Sequence, residues 1–198
     1  RPGAPAAGCV DGSVIPARLA SIADGVEAPA RHGWLGPRLC AMTPEPRLTA
    51  QRLRTSVQET LDEFLAEQAQ ILSDISPDLA PFTEWLGELL AGGKRLRPAF
   101  CMWGYLGAGG QDIEPALRAA ASLELLQACA LVHDDVMDDS DMRRGKPAAH
   151  RRFATAHRGE GWAGDAERFG ESSAILLGDL CLSWADEMLL RCGFGPDE

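Results

Sequence analysis

The sequence predicts an all-α fold, and three observations carry that prediction. Apolar residues recur every three or four positions over long stretches, as one face of a helix requires. A segment near the middle of the chain is apolar nearly all round, as a helix at the centre of a bundle would be. Strand signals are missing: no stretch alternates apolar and polar side chains, and no Asn-Gly pair marks a hairpin.

The first helix is expected from Leu48, where Leu53, Val57, Leu61, Phe64, Leu65, Gln68 and Leu72 share one face, and Pro77 and Pro81 end it. A second runs over about 82–91 and stops at Gly92-Gly93, where the backbone can turn tightly. The third begins after Pro98 and ends near Gly107 to Gly110. Residues 113–139 read as one long helix whose middle, 123–132, is the apolar segment. Residues 143–170, rich in glycine, read as loop. The last helix, about 172–191, carries Ile175, Leu176, Leu177, Leu180, Leu182, Trp184, Met188 and Leu189. No internal repeat is visible.

Residues 1–41 differ in kind. Pro, Gly and Ala fill 20 of these 41 positions without helical period, so this stretch is expected to be a disordered N-terminal extension. Met42, followed by Thr-Pro, reads as the natural start, and 42–198 as one domain. A chain of 198 residues can bury a sizeable core, and 45% apolar with 24% charged residues excludes wholesale disorder. No uninterrupted apolar run approaches the roughly 18 residues that span a bilayer, so no membrane span is expected. Acidic residues outnumber basic ones 29 to 19, for a net charge of −10, the wrong sign for a general nucleic-acid binder. Six cysteines, at 9, 40, 101, 129, 181 and 192, form no C-x-x-C pair. They read as reduced thiols of a cytoplasmic protein rather than a disulfide framework or a zinc site.

The chemistry concentrates at the end of the long helix. His133-Asp134-Asp135-Val136-Met137-Asp138-Asp139-Ser140-Asp141 places five aspartates within eight residues. On a helix Asp134 and Asp138 project from one face a turn apart, with Asp135 beside them. Stacked carboxylates repel unless a cation lies between them. Hard oxygen donors without His or Cys suit Mg²⁺, held together with substrate phosphate oxygens. Calcium would want EF-hand spacing and its glycine, and neither is present. A phosphohydrolase built on a His-Asp pair would want a second His-Asp constellation among only four histidines.

Two basic clusters accompany the acidic one. Gly92-Gly93-Lys94-Arg95-Leu96-Arg97-Pro98 joins two helices, with Lys94 and Arg97 placed to hold a phosphate between a point charge and a guanidinium fork. Arg143-Arg144-Gly145-Lys146-Pro147, with His150 beyond, follows the aspartates directly. The chain has only two lysines against 17 arginines, and both lie in these clusters. Together the three segments point to a polyanion held by Mg²⁺ on one side and basic side chains on the other.

In order and approximate spacing, G-G-K-R-L-R-P, E-L-L-Q, D-D-V-M-D, S-D-M-R-R-G-K-P-A-A-H and L-L-G-D-L resemble the trans-isoprenyl diphosphate synthases, the polyprenyl synthetase family, over about 48–191. The resemblance implies a helical bundle around a central cavity, a homodimer, and head-to-tail joining of an allylic diphosphate to isopentenyl diphosphate. Carried over by motif, Asp134, Asp135 and Asp138 would bind the Mg²⁺ that grips the allylic diphosphate, and Arg143 would support that diphosphate. Lys94, Arg97, Gln127 and Arg144 would hold the diphosphate of isopentenyl diphosphate. Farnesyl-making members would place bulky rings one turn below the metal site. Cys129 and Ala130 are small there, which implies a product of geranylgeranyl length or longer. The family's second aspartate-rich motif has no counterpart here, and Asp186-Glu187 does not substitute for it. The chain therefore reads as the N-terminal part of a synthase. A terpene cyclase, a non-catalytic subunit of a heteromeric prenyl synthase, and a helical interaction module are the alternatives.

Overall fold

The computed structural model describes residues 49–195. The expectations for 1–41, Met42, Cys9 and Cys40 lie outside the described residues. Within them the fold is helical, as expected, with six α-helices and one two-residue hairpin.

Helix α1 (Ala50–Ile75) starts where the Thr49 side chain accepts a hydrogen bond from the Arg52 backbone N–H. Its buried face is the expected Leu53, Val57, Leu61, Phe64, Leu65 and Gln68. Ser76 stops it and caps a short 3₁₀ turn (Pro77–Leu79), which leads into α2 (Ala80–Leu90). Gly92 and Gly93 then adopt positive φ values of 75° and 101°, which glycine accepts without a Cβ penalty. Helix α3 (Leu96–Gly107) takes Pro98 into its first turn rather than starting after it, because a proline there forfeits no intrahelical bond.

Helix α4 (Ile113–Met137) is the central element, packed mainly on α6 and also on α3 and α1. By length and composition it is apolar enough to cross a bilayer, which corrects the reading of the sequence by uninterrupted runs alone. Its apolarity is that of a core helix: Ala116, Ala120, Ala121, Leu125, Ala128 and Val132 are buried against neighbouring helices.

After α4 the structure departs from the expected loop. Strands β1 (Met142–Arg143) and β2 (Lys146–Pro147) pair antiparallel, joined by Arg144 and Gly145 at φ values of 52° and 78°. Two successive left-handed residues make a tight primed turn, here with Arg where Asn is usual, so the Asn-Gly signal was missing. Helix α5 (Ala149–Gly159) was also unforeseen, and it buries His150, Phe153, Ala154 and His157. Two of those four are histidines, so an apolar count passes over the face. Helix α6 (Ala166–Leu190) begins earlier than expected, capped by the Asp165 carboxylate on the Glu167 and Arg168 amides. Gly170 is a contact rather than a break: a Cβ there would lie 2.2 Å from the His150 carbonyl oxygen of α5. The core gathers Leu53, Leu61, Leu86, Met102, Leu125 and Leu177, with Phe64 edge-on to Trp184.

Candidate active site

The aspartate cluster forms the C-terminus of α4. Asp138 is the C-cap, and Asp139 takes the left-handed conformation at φ 50°. The amides of Asp139 and Ser140 turn back to the carbonyls of Val136 and Asp135 at 3.3 and 2.9 Å. This is the Schellman closure of a helix, with Asp in the place usually taken by Gly. The negative end of the helix dipole thus meets a set of carboxylates, an arrangement that needs positive charge nearby.

Arg143 supplies part of it. Its Nε donates to both oxygens of Asp135 at 2.9 and 3.1 Å, and its Nη2 donates to Asp135 and, at 3.2 Å, to Asp134. These bonds, the Asp135 one foremost, push the guanidinium pKa further up. The three expected metal aspartates are therefore not equivalent. Asp135 is buried, with a side chain only 4% exposed and turned to Arg143, whereas Asp134 and Asp138 are exposed one turn apart. Among the described residues Asp138 makes no side-chain hydrogen bond or ion pair, and no three metal-type side chains converge. The open donor set is two hard carboxylates, which suits Mg²⁺, an ion commonly held by one or two carboxylates plus substrate phosphates.

The hairpin carries the other basic groups. Arg144 donates from Nη1 to the Leu89 carbonyl at the end of α2, 3.1 Å away. Lys146 and Arg152 share Glu88 Oε2 at 2.7 and 3.0 Å, and both bonds hold the Glu88 carboxyl below its ordinary pKa. A cleft of about 250 Å³ lies here, with Trp85, Leu89 and Val132 as apolar wall and Asp135, Arg143 and Arg144 among its polar lining.

The glycine-led loop is organised by a residue that sequence reasoning passed over. Arg95 is 4% exposed and left-handed at φ 51°. Its guanidinium bonds Glu124 on α4, the Leu90 carbonyl, and Gln58 on α1 at 2.6 Å. Pinning Arg95 inward leaves Lys94 and Arg97 exposed on either side, and its partner Glu124 lies one helical turn before Gln127 on α4. Neither Lys94 nor Arg97 makes an ion pair among the described residues, and no bond links them or Gln127 to the aspartates. Nothing in the composition of G-G-K-R-L-R-P says which of its three cations turns inward.

Cys129 and Ala130, expected to face the cavity together, are divided. Ala130 is exposed on the face of Asp134 and Leu126, four residues to either side. Cys129 is buried, its Sγ 3.8 Å from His133 Nδ1, and burial followed by the charge of Asp179 pushes its thiol pKa up. His133 itself crosses to α6, with Nε2 3.1 Å from the Ile175 carbonyl and 3.6 Å from Asp179 Oδ1. Gly178 makes room for it, since a Cβ there would lie 2.1 Å from the imidazole. The L-L-G-D-L motif is thus the seat on which the His-Asp-Asp turn rests.

Fold and site together define an all-α bundle in which an acidic helix end stands beside a basic hairpin suited to an anionic phosphate ligand. The sequence model of the polyprenyl synthetase family matches residues 80–197, more than half of the chain, and the chain belongs to that family. A short chain isoprenyl diphosphate synthase of Methanothermobacter thermautotrophicus is 37% identical over 136 residues, 68% of this chain and 35% of that protein. The chloroplastic large subunit 1 of a heterodimeric geranylgeranyl pyrophosphate synthase of Arabidopsis thaliana is 33% identical over 148 residues, 69% of this chain and 35% of that one. A geranylgeranyl pyrophosphate synthase of Corynebacterium glutamicum, solved with isoprenyl diphosphate and magnesium, matches with a TM-score of 0.71 and 40% identity. That match covers 75% of this chain and 43% of the other. The chain spans about a third of the length of the curated relatives it matches.

Proposed function

We propose that the protein is the catalytic chain of an isoprenyl diphosphate synthase, which joins an allylic diphosphate to isopentenyl diphosphate head to tail and makes a product of geranylgeranyl length or longer. The observation that carries this reading is the end of α4: two exposed carboxylates one turn apart, with Arg143 fixed beside them by Asp135. Asp134 and Asp138 would hold Mg²⁺. The chemistry that a bound Mg²⁺ supplies is charge neutralisation on the departing diphosphate.

The chain's own residues do the rest. Asp135 holds the Arg143 fork in place at the allylic diphosphate, so its geometry is set before substrate arrives. Lys94 and Arg97, turned outward by the Arg95 anchor, take the diphosphate of isopentenyl diphosphate together with Arg144 and Gln127. Gln127 contributes a neutral amide donor, where a charged group would hold the anion more tightly. Leu126 and Ala130 present an apolar wall below Asp134, which keeps water from the allylic carbocation left when the C–O bond to diphosphate breaks. The isopentenyl double bond attacks C1 of that cation, and the resulting cation loses a proton to the departed diphosphate. No side-chain nucleophile is required. The retained aspartates argue for a catalytic chain over a silent partner subunit, and the protein is read as a homodimer.

The test is to incubate the full-length protein with an allylic primer, labelled isopentenyl diphosphate and Mg²⁺, and to chromatograph the dephosphorylated products. Label in C20 or longer alcohols, abolished by a chelator, is the expected result. Hydrocarbon products formed without isopentenyl diphosphate would identify a terpene cyclase instead.

A further inference from the structure

We propose that Arg151 is a positioning residue, which holds Asp139 and Asp141 away from the cation and leaves Asp134 and Asp138 as the carboxylates that a divalent ion meets. The proposal rests on the metal reading above.

Each nitrogen of the Arg151 guanidinium faces a different carboxylate. Nε donates to Asp141 Oδ1 at 2.6 Å, Nη2 to Asp139 Oδ1 at 2.9 Å and Nη1 to Glu167 Oε2 at 2.8 Å. The first two acids belong to the turn that follows α4, the third to the first turn of α6, and Arg151 itself to the first turn of α5. One side chain thereby joins three segments at the acidic end of the molecule. The Ala148 amide, bonded to the Asp141 carbonyl at 2.9 Å, ties the same turn to the start of α5.

The consequence is a division of five neighbouring aspartates. Arg143 takes Asp135 and touches Asp134; Arg151 takes Asp139 and Asp141. Asp138 is left without a guanidinium among the described residues. Asp134 is 56% exposed, with a single contact to Arg143. Without Arg151, Asp139 and Asp141 would stand next to Asp138 as two further hard donors, enough to draw a divalent cation to the wrong oxygens. Isolated surface ion pairs contribute little, but a guanidinium already ordered by one carboxylate loses less freedom in meeting the next. The left-handed Asp139, a costly place for a non-glycine residue, has its side chain fixed by the same group.

A staple joining α5 to α6 would need only Glu167, so cation stoichiometry separates the two roles. Full-length protein without substrates is titrated with Mn²⁺ and the bound ions are counted by electron paramagnetic resonance. Arg151→Gln is expected to bind about one further Mn²⁺ per chain, through the two released carboxylates. That extra ion should vanish when Asp139→Asn and Asp141→Asn are added. An unchanged ion count in folded Arg151→Gln overturns the proposal. Should that variant fail to fold, Asp139→Asn/Asp141→Asn alone decides, because it retains Arg151. An unchanged ion count supports the proposal and a lost ion overturns it. Mn²⁺ binding that survives Asp134→Asn/Asp138→Asn would sink the metal reading itself, whatever Arg151 does.

Discussion

At the scale of single residues, equivalent letters have unequal work. Asp134, Asp135 and Asp138 form one D-D-x-x-D string, yet only Asp135 is buried with both oxygens on a guanidinium. Asp138→Asn should raise the half-saturating Mg²⁺ concentration at least about tenfold, since it removes one of two open ligands. Asp135→Asn should leave that concentration nearly unchanged and instead raise KM for the allylic diphosphate. The loss of one charge-assisted hydrogen bond, about 1.5–3 kcal/mol, corresponds to roughly ten- to hundredfold. It should also be strongly non-additive with Arg143→Gln, because the two side chains act as one unit. Equal Mg²⁺ shifts in the two Asn variants, measured from initial rates, would show that Asp135 ligates metal after all. Arg95 obeys the same logic. Its pairing with Glu124 is buried, so losing one partner strands the other in a low dielectric, whereas Lys94 and Arg97 can be replaced without that penalty.

At the scale of the element, α4 shows what a sequence can and cannot disclose. Its existence, length and acidic end were legible, because periodicity and composition survive any packing arrangement. The direction of each side chain was not: Cys129 and Ala130 are neighbours in sequence but turn through about 100° on a helix, one into the α4–α6 seam and one outward. The β-hairpin escaped notice because Arg144 occupies a left-handed position usually held by Asn or Gly. Helix α5 escaped because its buried face contains His150 and His157, whose rings are counted as polar. A structure-based choice of chain-length residues follows. Ala130→Phe should shorten the product by at least one isoprene unit, and Leu126→Ala, a turn deeper on the same face, should lengthen it. Cys129→Phe should do neither; it should lower the melting temperature, because overpacking a filled seam typically costs about 1–3 kcal/mol. Product chromatography beside a thermal melt checks all three. A shortened product from Cys129→Phe with an unchanged melting temperature would return Cys129 to the cavity wall.

At the scale of the whole molecule, large apolar side chains stand exposed along three of the described helices. Leu126 and Met137 on α4 are 45% and 84% exposed, Ile175 and Leu176 on α6 are 44% and 59%, and Leu96, Phe100 and Trp103 stand out along α3. Scattered exposed leucines need no explanation, but rows of them on neighbouring helices mark surfaces that normally meet something. The relatives supply a scale for this: the matched stretch covers 35% of the length of each of the two relatives named above. Net charge of −10 opposes association only weakly at physiological salt, where charges about 8 Å apart are already screened. These 198 residues expressed alone should therefore self-associate in a concentration-dependent, open-ended way and bind a hydrophobic dye. Leu126→Glu with Leu176→Glu should reduce both effects, since each charge interrupts one apolar row. Light scattering across a dilution series distinguishes this from a single closed dimer. A monodisperse monomer that binds no dye would mean that the exposed rows are too dispersed to act as one surface, and that the apolar wall assigned to the growing prenyl chain must be sought elsewhere.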